Sequence, residues 1–202
     1  IKIVSPDISH KSDVGGVAVG ILSDDQLKQA YEGMLSKVRK RAPEARIEGI
    51  SVQKMIDDID YELILGSKKD KDFGSVILFG MGGTLAELIR DFSIGLPPLN
   101  ATLAKRLMED TKAYKLIEGC RGKPPADLKE LKTALVLFSY LLIDFPEIAE
   151  IDINPLAITG GKVCAVDARM ILDREFQPSA DPYPHLVISP YPVKWIRQLE
   201  LP

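Results

Sequence analysis

Residues 150–169, EIDINPLAITGGKVCAVDAR, constrain this chain more than any other stretch. Side chains alternate into a Gly160-Gly161 pair and alternate again on the way out. A two-residue turn of that composition closes an antiparallel hairpin. Pairing Thr159 with Lys162 sets the register, and counting outward places Asn154 directly opposite Asp167. Cross-strand partners share a face with Cβ atoms about 4.5–5.5 Å apart, so an amide oxygen and a carboxylate can grip one cation. Oxygen ligands in that number suit Mg²⁺, which takes one or two protein groups and fills its shell with water and phosphates. Glu150 and Asp152 share the polar face and Ile151 and Ile153 the other. Pro155 restrains Asn154 to an extended backbone. The competing account is a hairpin whose polar side is simply wet.

Around this hairpin the pattern is mixed. IKIVS and VAVGIL read as strands flanking the loop PDISHKSDVGG. A helix is expected from Asp24 to about Lys40, with Ser23 and Gln26 as a capping box. IEGISVQKM, YELILGSK and SVILFG read as three strands of an antiparallel meander. Helical periodicity returns in TLAELIRDF, after an Asn100 cap, and through DLKELKTALVLFSYLLIDF, before EIAEIDINPLAIT and KVCAVDARMIL close the chain's β content. An antiparallel β-meander with a helical insert and a C-terminal β-hairpin is an α+β domain. From Asp173 the composition changes, because six of the 14 prolines crowd into the last thirty residues. Residues 173–202 are therefore a linker or docking arm whose Tyr183, Tyr191 and Trp195 could meet a partner, or a tail lying on its own domain.

Composition excludes some classes. Of 202 residues 46% are hydrophobic, which argues against disorder, and 26 basic against 29 acidic side chains leave no basic surface for nucleic acid. The longest apolar run, TALVLFSYLLIDF, is too short for a membrane span. Cys120 and Cys164 stand far apart without metal-ligand spacing, which fits a reducing, cytoplasmic setting. No initiator Met precedes IKIVS, so a piece of a longer polypeptide is expected.

Two further places could carry chemistry. Gly80-Met81-Gly82-Gly83 joins a strand to a helix, and backbone N–H groups approached closely at such a junction seat anions. It lacks the Lys and Ser/Thr of a P-loop, and an ordinary glycine turn reads equally well. His10, on the turn-rich loop, could accept a phosphoryl group or stand in solvent. Lys2 could meet nucleotide phosphates or snorkel to water. Glu62 and Glu87 are acidic candidates that surface ion pairs would also explain.

Taken in order, KIVSPDISHKSDVGGV, VQKM with YELILG, FGMGG with AELIRD, and EIDINPL with VDAR resemble the ATP-grasp module of nucleoside-diphosphate-forming acyl-CoA synthetases, over residues 1–172. More remotely they resemble the nucleotide-binding subunit of succinyl-CoA synthetase. The resemblance implies a partial ATP-grasp fold, since the family's module begins before the position of Ile1. It also implies ATP or ADP and Mg²⁺ as cofactors, and a relay in which acyl-CoA, ADP and phosphate yield acid, CoA and ATP through phosphohistidine. His10 matches the loop-borne relay histidine, and Asn154 and Asp167 match the Mg²⁺ ligands. Lys2 matches the lysine near the nucleotide phosphates; Val52, Gln53, Lys54, Met55 and Glu62 match the nucleotide-binding segments. Gly80, Gly82, Gly83 and Glu87 match the loop facing the phosphate path. CoA-binding and ligase parts of the same enzyme are the implied partners, in an oligomer, so the isolated chain is not expected to turn over. The segment DPYPHLVISPYP resembles the connector to a protein-lysine N-acetyltransferase in some fusions, where the synthetase-like part can instead be regulatory.

Overall fold

A computed structural model describes residues 1–8, 10–83, 90–120 and 122–178. The chain folds as two compact units, Ile1–Asp57 and Asp58–Pro202.

The smaller unit is a two-stranded antiparallel sheet beside one long helix. Strand β1 (Lys2–Val4) pairs with β2 (Gly49–Ser51). Helix α1 (Asp24–Arg41) starts where Ser23 Oγ accepts the Gln26 N–H at 3.3 Å, while Gln26 Oε1 accepts the N–H of Leu22 at 2.8 Å. The expected box thus closes one residue further out. Asp24 and Asp25 in the first turn and Arg39, Lys40 and Arg41 in the last complement the helix dipole. Ile1, Ile3, Ile8, Met34 and Val38 form a small core of their own.

Two sequence expectations fail in this unit. VAVGIL is not a strand: Val17 alone bridges to Lys2, held by Ile3 N–H to Gly16 O and Ala18 N–H to Ile1 O. Gly20 then takes φ +70° and the chain leaves the extended path to enter α1. Likewise IEGISVQKM contributes only Gly49–Ser51, which pairs within the smaller unit rather than joining the meander. Val52, Gln53, Lys54 and Met55 lie beyond the strand, exposed.

In the larger unit a six-stranded antiparallel sheet carries helices against it. Strands β3 (Tyr61–Asp70), β4 (Gly74–Met81) and β5 (Phe92–Gly95) form the meander, in the order β5-β4-β3. Helices α2 (Ala101–Glu109), α3 (Lys112–Ile117) and α4 (Leu128–Asp144) follow. Asn100, Thr111 and Asp127 cap them, each accepting backbone N–H groups of the first turn. Strand β6 (Ile148–Thr159) then pairs with β3 on one side. Its other side is shared by β7 (Lys162–Ala165) and β8 (Ala168–Leu172), so KVCAVDARMIL is two strands, not one. Leu63, Leu65, Ile77, Phe79, Leu131, Leu135, Leu142 and Ile158 are among the buried residues that join sheet to helices.

The helical reading of TLAELIRDF is corrected at its end, since Phe92 opens β5; residues 84–89 lie outside the described residues. β5 is the edge strand beyond β4, and Phe92 and Ile94 on it are exposed while Ser93 between them is buried. Of the proline-rich arm, Asp173 donates its N–H to Glu147 O at 2.8 Å, and the Phe176 ring lies 5.2 Å from Lys69 Nζ. Tyr183, Tyr191 and Trp195 lie outside the described residues.

Candidate functional site

The hairpin forms in the expected register. Thr159 faces Lys162, Ile158 faces Val163, Ala157 faces Cys164 and Leu156 faces Ala165. Gly160 and Gly161 both have positive φ, +54° and +82°, as a type I′ turn requires. Asp60 Oδ2 accepts the Gly160 N–H at 2.9 Å, and Gly161 O accepts the N–H of Asp127 at 2.8 Å, which ties the turn to its neighbours.

The register persists on the far side: Ile153 faces Ala168, Asp152 faces Arg169 and Ile151 faces Met170. Between the two ladders the Asn154 N–H donates to Asp167 O at 3.2 Å and the Val166 N–H to Pro155 O at 3.1 Å. Asn154 and Asp167 therefore sit opposite each other, both half-buried. Ile151 is buried in the core and Ile153 packs against it, so the polar face of β6 is the one carrying Glu150, Asp152 and Asn154. Glu150 lies 4.0 Å from Lys68 Nζ and 3.9 Å from an Arg169 nitrogen.

On the β3 side, Leu63 faces Leu156 while Leu65 faces Ile153, so Asn154 and Pro155 together oppose Ile64. Pro155 has no N–H to give the ladder, and a bulge is where a proline inside a strand belongs. Bulges re-aim side chains. Asn154 thus stands where β6 is released from regular pairing on both edges. The Asn154–Pro155 peptide is cis.

What sequence reasoning missed is the contact that follows. Asn154 Oδ1 accepts the Gly83 N–H at 3.1 Å, across 71 positions of chain. Gly83 has φ +75°, and a Cβ there would fall on the Glu62 carboxylate. Gly82 donates its N–H to Glu62 O at 2.9 Å, and Met81 donates to Asp91 O, also at 2.9 Å. Gly80 lies within β4, between Ile64 and Phe92. Asp91, missed as well, is buried, and its carboxylate accepts the N–H groups of Lys112 and Ala113 at 2.8 and 2.7 Å. It ties the residue before β5 to the start of α3. Asp91 ends the AELIRD block, but nothing in that block refers to Lys112 and Ala113.

The larger unit therefore brings together Glu62, Gly82, Gly83, Asn154 and Asp167. Glu87 lies outside the described residues. Among the described residues no group of three or more His, Cys, Asp and Glu side chains gathers to hold a metal. An ion taking Asn154 and Asp167 would draw its remaining ligands from water or a bound anion, and the donor set fits Mg²⁺ on that ground.

The smaller unit carries the other candidates. His10 is exposed on a loop closed by Asp13 N–H to His10 O, 3.3 Å, and Gly16 N–H to Lys11 O, 2.7 Å. Arg46 N–H donates to Asp7 Oδ2 at 2.7 Å and Arg41 Nη1 to Asp13 O at 2.8 Å, tying the loop down on both sides of the imidazole. Lys2 is half-buried in β1, opposite Ser51. Val52 and Gln53 line an open groove of about 240 Å³ with Ile1, Ile21, Leu22, Ser23, Asp24 and Leu27.

Residues 1–172 match the family model described as ATP-grasp domain. The chain belongs to the ATP-grasp family. Within it, the chain is 43% identical over 175 residues to acetate–CoA ligase (ADP-forming) I of Archaeoglobus fulgidus, covering 87% of this chain and 25% of that protein. It is 37% identical over 172 residues to the beta subunit of acetate–CoA ligase (ADP-forming) I of Pyrococcus furiosus, covering 85% of this chain and 74% of the subunit. The chain is thus similar to the ATP-grasp part of ADP-forming acetate–CoA ligases, the match spanning a quarter of the length of the Archaeoglobus relative. A solved acetyl-coenzyme A synthetase 1 of Ca. Korarchaeum cryptofilum, bound to coenzyme A and Mg-AMPPCP with its phosphohistidine segment pointing towards the nucleotide binding site, superposes with TM-score 0.70 at 36% identity, over 85% of this chain and 75% of that one. Among the described residues no helix is long and apolar enough to cross a membrane.

Proposed function

We propose that this chain is the nucleotide-handling part of an ADP-forming acyl-CoA synthetase, acting in acyl-CoA + ADP + phosphate = acid + CoA + ATP, with His10 carrying the phosphoryl group. The observation that carries the reading is that Asn154 lies opposite Asp167 across the strands, its N–H donating to Asp167 O, while Asn154 Oδ1 accepts the Gly83 N–H. A nucleotide's phosphates need a cation and backbone donors in one place, and this corner sets a candidate amide and carboxylate pair beside the Gly83 N–H.

Asn154 and Asp167 would hold Mg²⁺, which supplies charge neutralisation for phosphates when bound. In the smaller unit, taken by itself, Lys2 on its strand is proposed as a positive charge for phosphate, and Val52, Gln53, Lys54 and Met55 as backbone groups for a base. Glu62 limits how close an anion comes to Gly83. His10, exposed between two tied points of its loop, is accessible to accept a phosphoryl group at a ring nitrogen and give it up again. Little covalent chemistry is left for the protein beyond that carrier; positioning and charge do the rest.

The CoA-binding and ligase functions are assigned to further parts or a partner subunit of the parent enzyme, a division that the beta-subunit relative supports. The parent is placed in the cytoplasm, where the free thiols of Cys120 and Cys164 stay reduced. A regulatory role in a fused lysine acetyltransferase rests on the tail segment DPYPHLVISPYP alone, outside the described residues, and the relatives named above are ligases.

The test is made on the parent protein. Incubation with γ-labelled ATP and Mg²⁺ yields acid-labile phosphate on His10, and His10→Ala abolishes both the label and ATP formation while the melting temperature is unchanged. Unlabelled wild-type protein, or a fully active His10→Ala variant, removes the relay from this chain.

A further inference from the structure

The hydrogen bond between Gly83 and Asn154 sets the order in which this corner can be filled. Met81 and Gly82 direct their N–H groups to backbone carbonyls of Asp91 and Glu62, which are fixed by the sheet. Gly83 directs its N–H to a side-chain oxygen, at 3.1 Å, and a side chain can turn. The same oxygen is one of the two donors assigned to a cation. An amide oxygen has two lone pairs, but charge drawn toward a cation leaves it a poor acceptor for the positive end of an N–H dipole. The N–H then favours an anionic acceptor, because a hydrogen bond to a charged oxygen is roughly twice as strong as one between neutral groups. Glu62 adds a second barrier: its carboxylate occupies the place where a Gly83 side chain would begin, so an anion approaching Gly83 meets negative charge until a cation offsets it.

We propose that Asn154 is a latch between the cation site and the glycine loop. Without a cation its Oδ1 parks the Gly83 N–H and Glu62 repels anions. With a cation on Asn154 and Asp167, the Gly83 donor is released to a phosphate oxygen. The loop is thereby armed for anion binding only after the cation has arrived, which makes phosphate capture ordered. The inference rests on Asn154 and Asp167 being the cation ligands.

Hydrogen exchange of the parent protein, resolved to the Gly83 amide by fragmentation, tests it with MgCl2 alone as the probe. In the wild type, saturating MgCl2 speeds Gly83 exchange roughly fivefold, the loss of one ordinary hydrogen bond, while the amides of 152–154 slow. Inorganic phosphate added with MgCl2 slows Gly83 again. Asn154→Ala gives fast Gly83 exchange with or without MgCl2. Asn154→Asp, similar in size with a stronger acceptor, gives slower exchange than wild type before MgCl2 is added. Unchanged exchange in β4 shows that each variant is folded. Slowing at 152–154 with no acceleration at Gly83 overturns the latch and leaves the cation site standing. No MgCl2 response at either place overturns both. Slow Gly83 exchange in a folded Asn154→Ala variant overturns the latch by itself.

Discussion

In the larger unit, Asn154 and Asp167 are held by ladder pairs on both flanks, Leu156 with Ala165 on one and Ile153 with Ala168 on the other. In the smaller unit, His10 is exposed on a loop outside the strands, held by turn hydrogen bonds, by buried Ile8 and by bonds from Arg41 to Asp13 and from Arg46 to Asp7. The contrast follows from what each group is assigned to do. A cation site needs two oxygens at constant separation, and a sheet supplies that spacing through many backbone bonds at once. A group that carries phosphate has to be reachable, and a surface loop leaves it so.

The sharpest way to break this contrast is to remove a ladder-held donor. Asp167→Ala weakens Mg²⁺-dependent ADP binding to the parent protein by at least the roughly 10–100-fold that loss of a supporting partner of a metal ligand costs. Titration calorimetry with and without Mg²⁺ reads it, and Mg²⁺-dependence identical to wild type removes Asp167 from the cation. Smaller is the effect of Gly83→Ala. A left-handed φ of +75° costs about 1–2 kcal/mol in a residue with a side chain, and the new methyl pushes the Glu62 carboxylate aside. Urea unfolding reads the loss; an unchanged midpoint shows that the loop has no fixed backbone at Gly83. Smallest on stability is Arg41→Ala in the smaller unit. One exposed side-chain bond to Asp13 O is lost, so unfolding shifts within about 0.5 kcal/mol, while exchange around His10 rises. A large stability loss instead would make the Arg41 bond, and not the burial of Ile8, the main anchor of that loop.

The same contrast explains what could be read from the residues. The hairpin was legible because a two-glycine turn allows one register, and counting along it needs no knowledge of the rest of the chain. The helix at Ser23 was legible because its cap is local, Ser23 and Gln26 lying three residues apart. VAVGIL failed because a strand needs a partner along its length, and only Val17 found one before Gly20 turned the chain. β5 was hidden because FSIG is short and follows a run with helical spacing. The bulge at Asn154 and Pro155 had a signal, a proline within an alternating run, but its effect depends on β3 as neighbour. The meeting of Gly83 with Asn154 had none, since nothing near either residue in sequence refers to the other.

Strand β6 is zipped along one edge by two separate short strands, with the chemical pair in the interval between them. If the turn end frays, the β8 half still fixes the spacing; if the β8 end opens, the turn half does. The border of the sheet can breathe while Asn154 and Asp167, the residues proposed for the ion, keep their spacing.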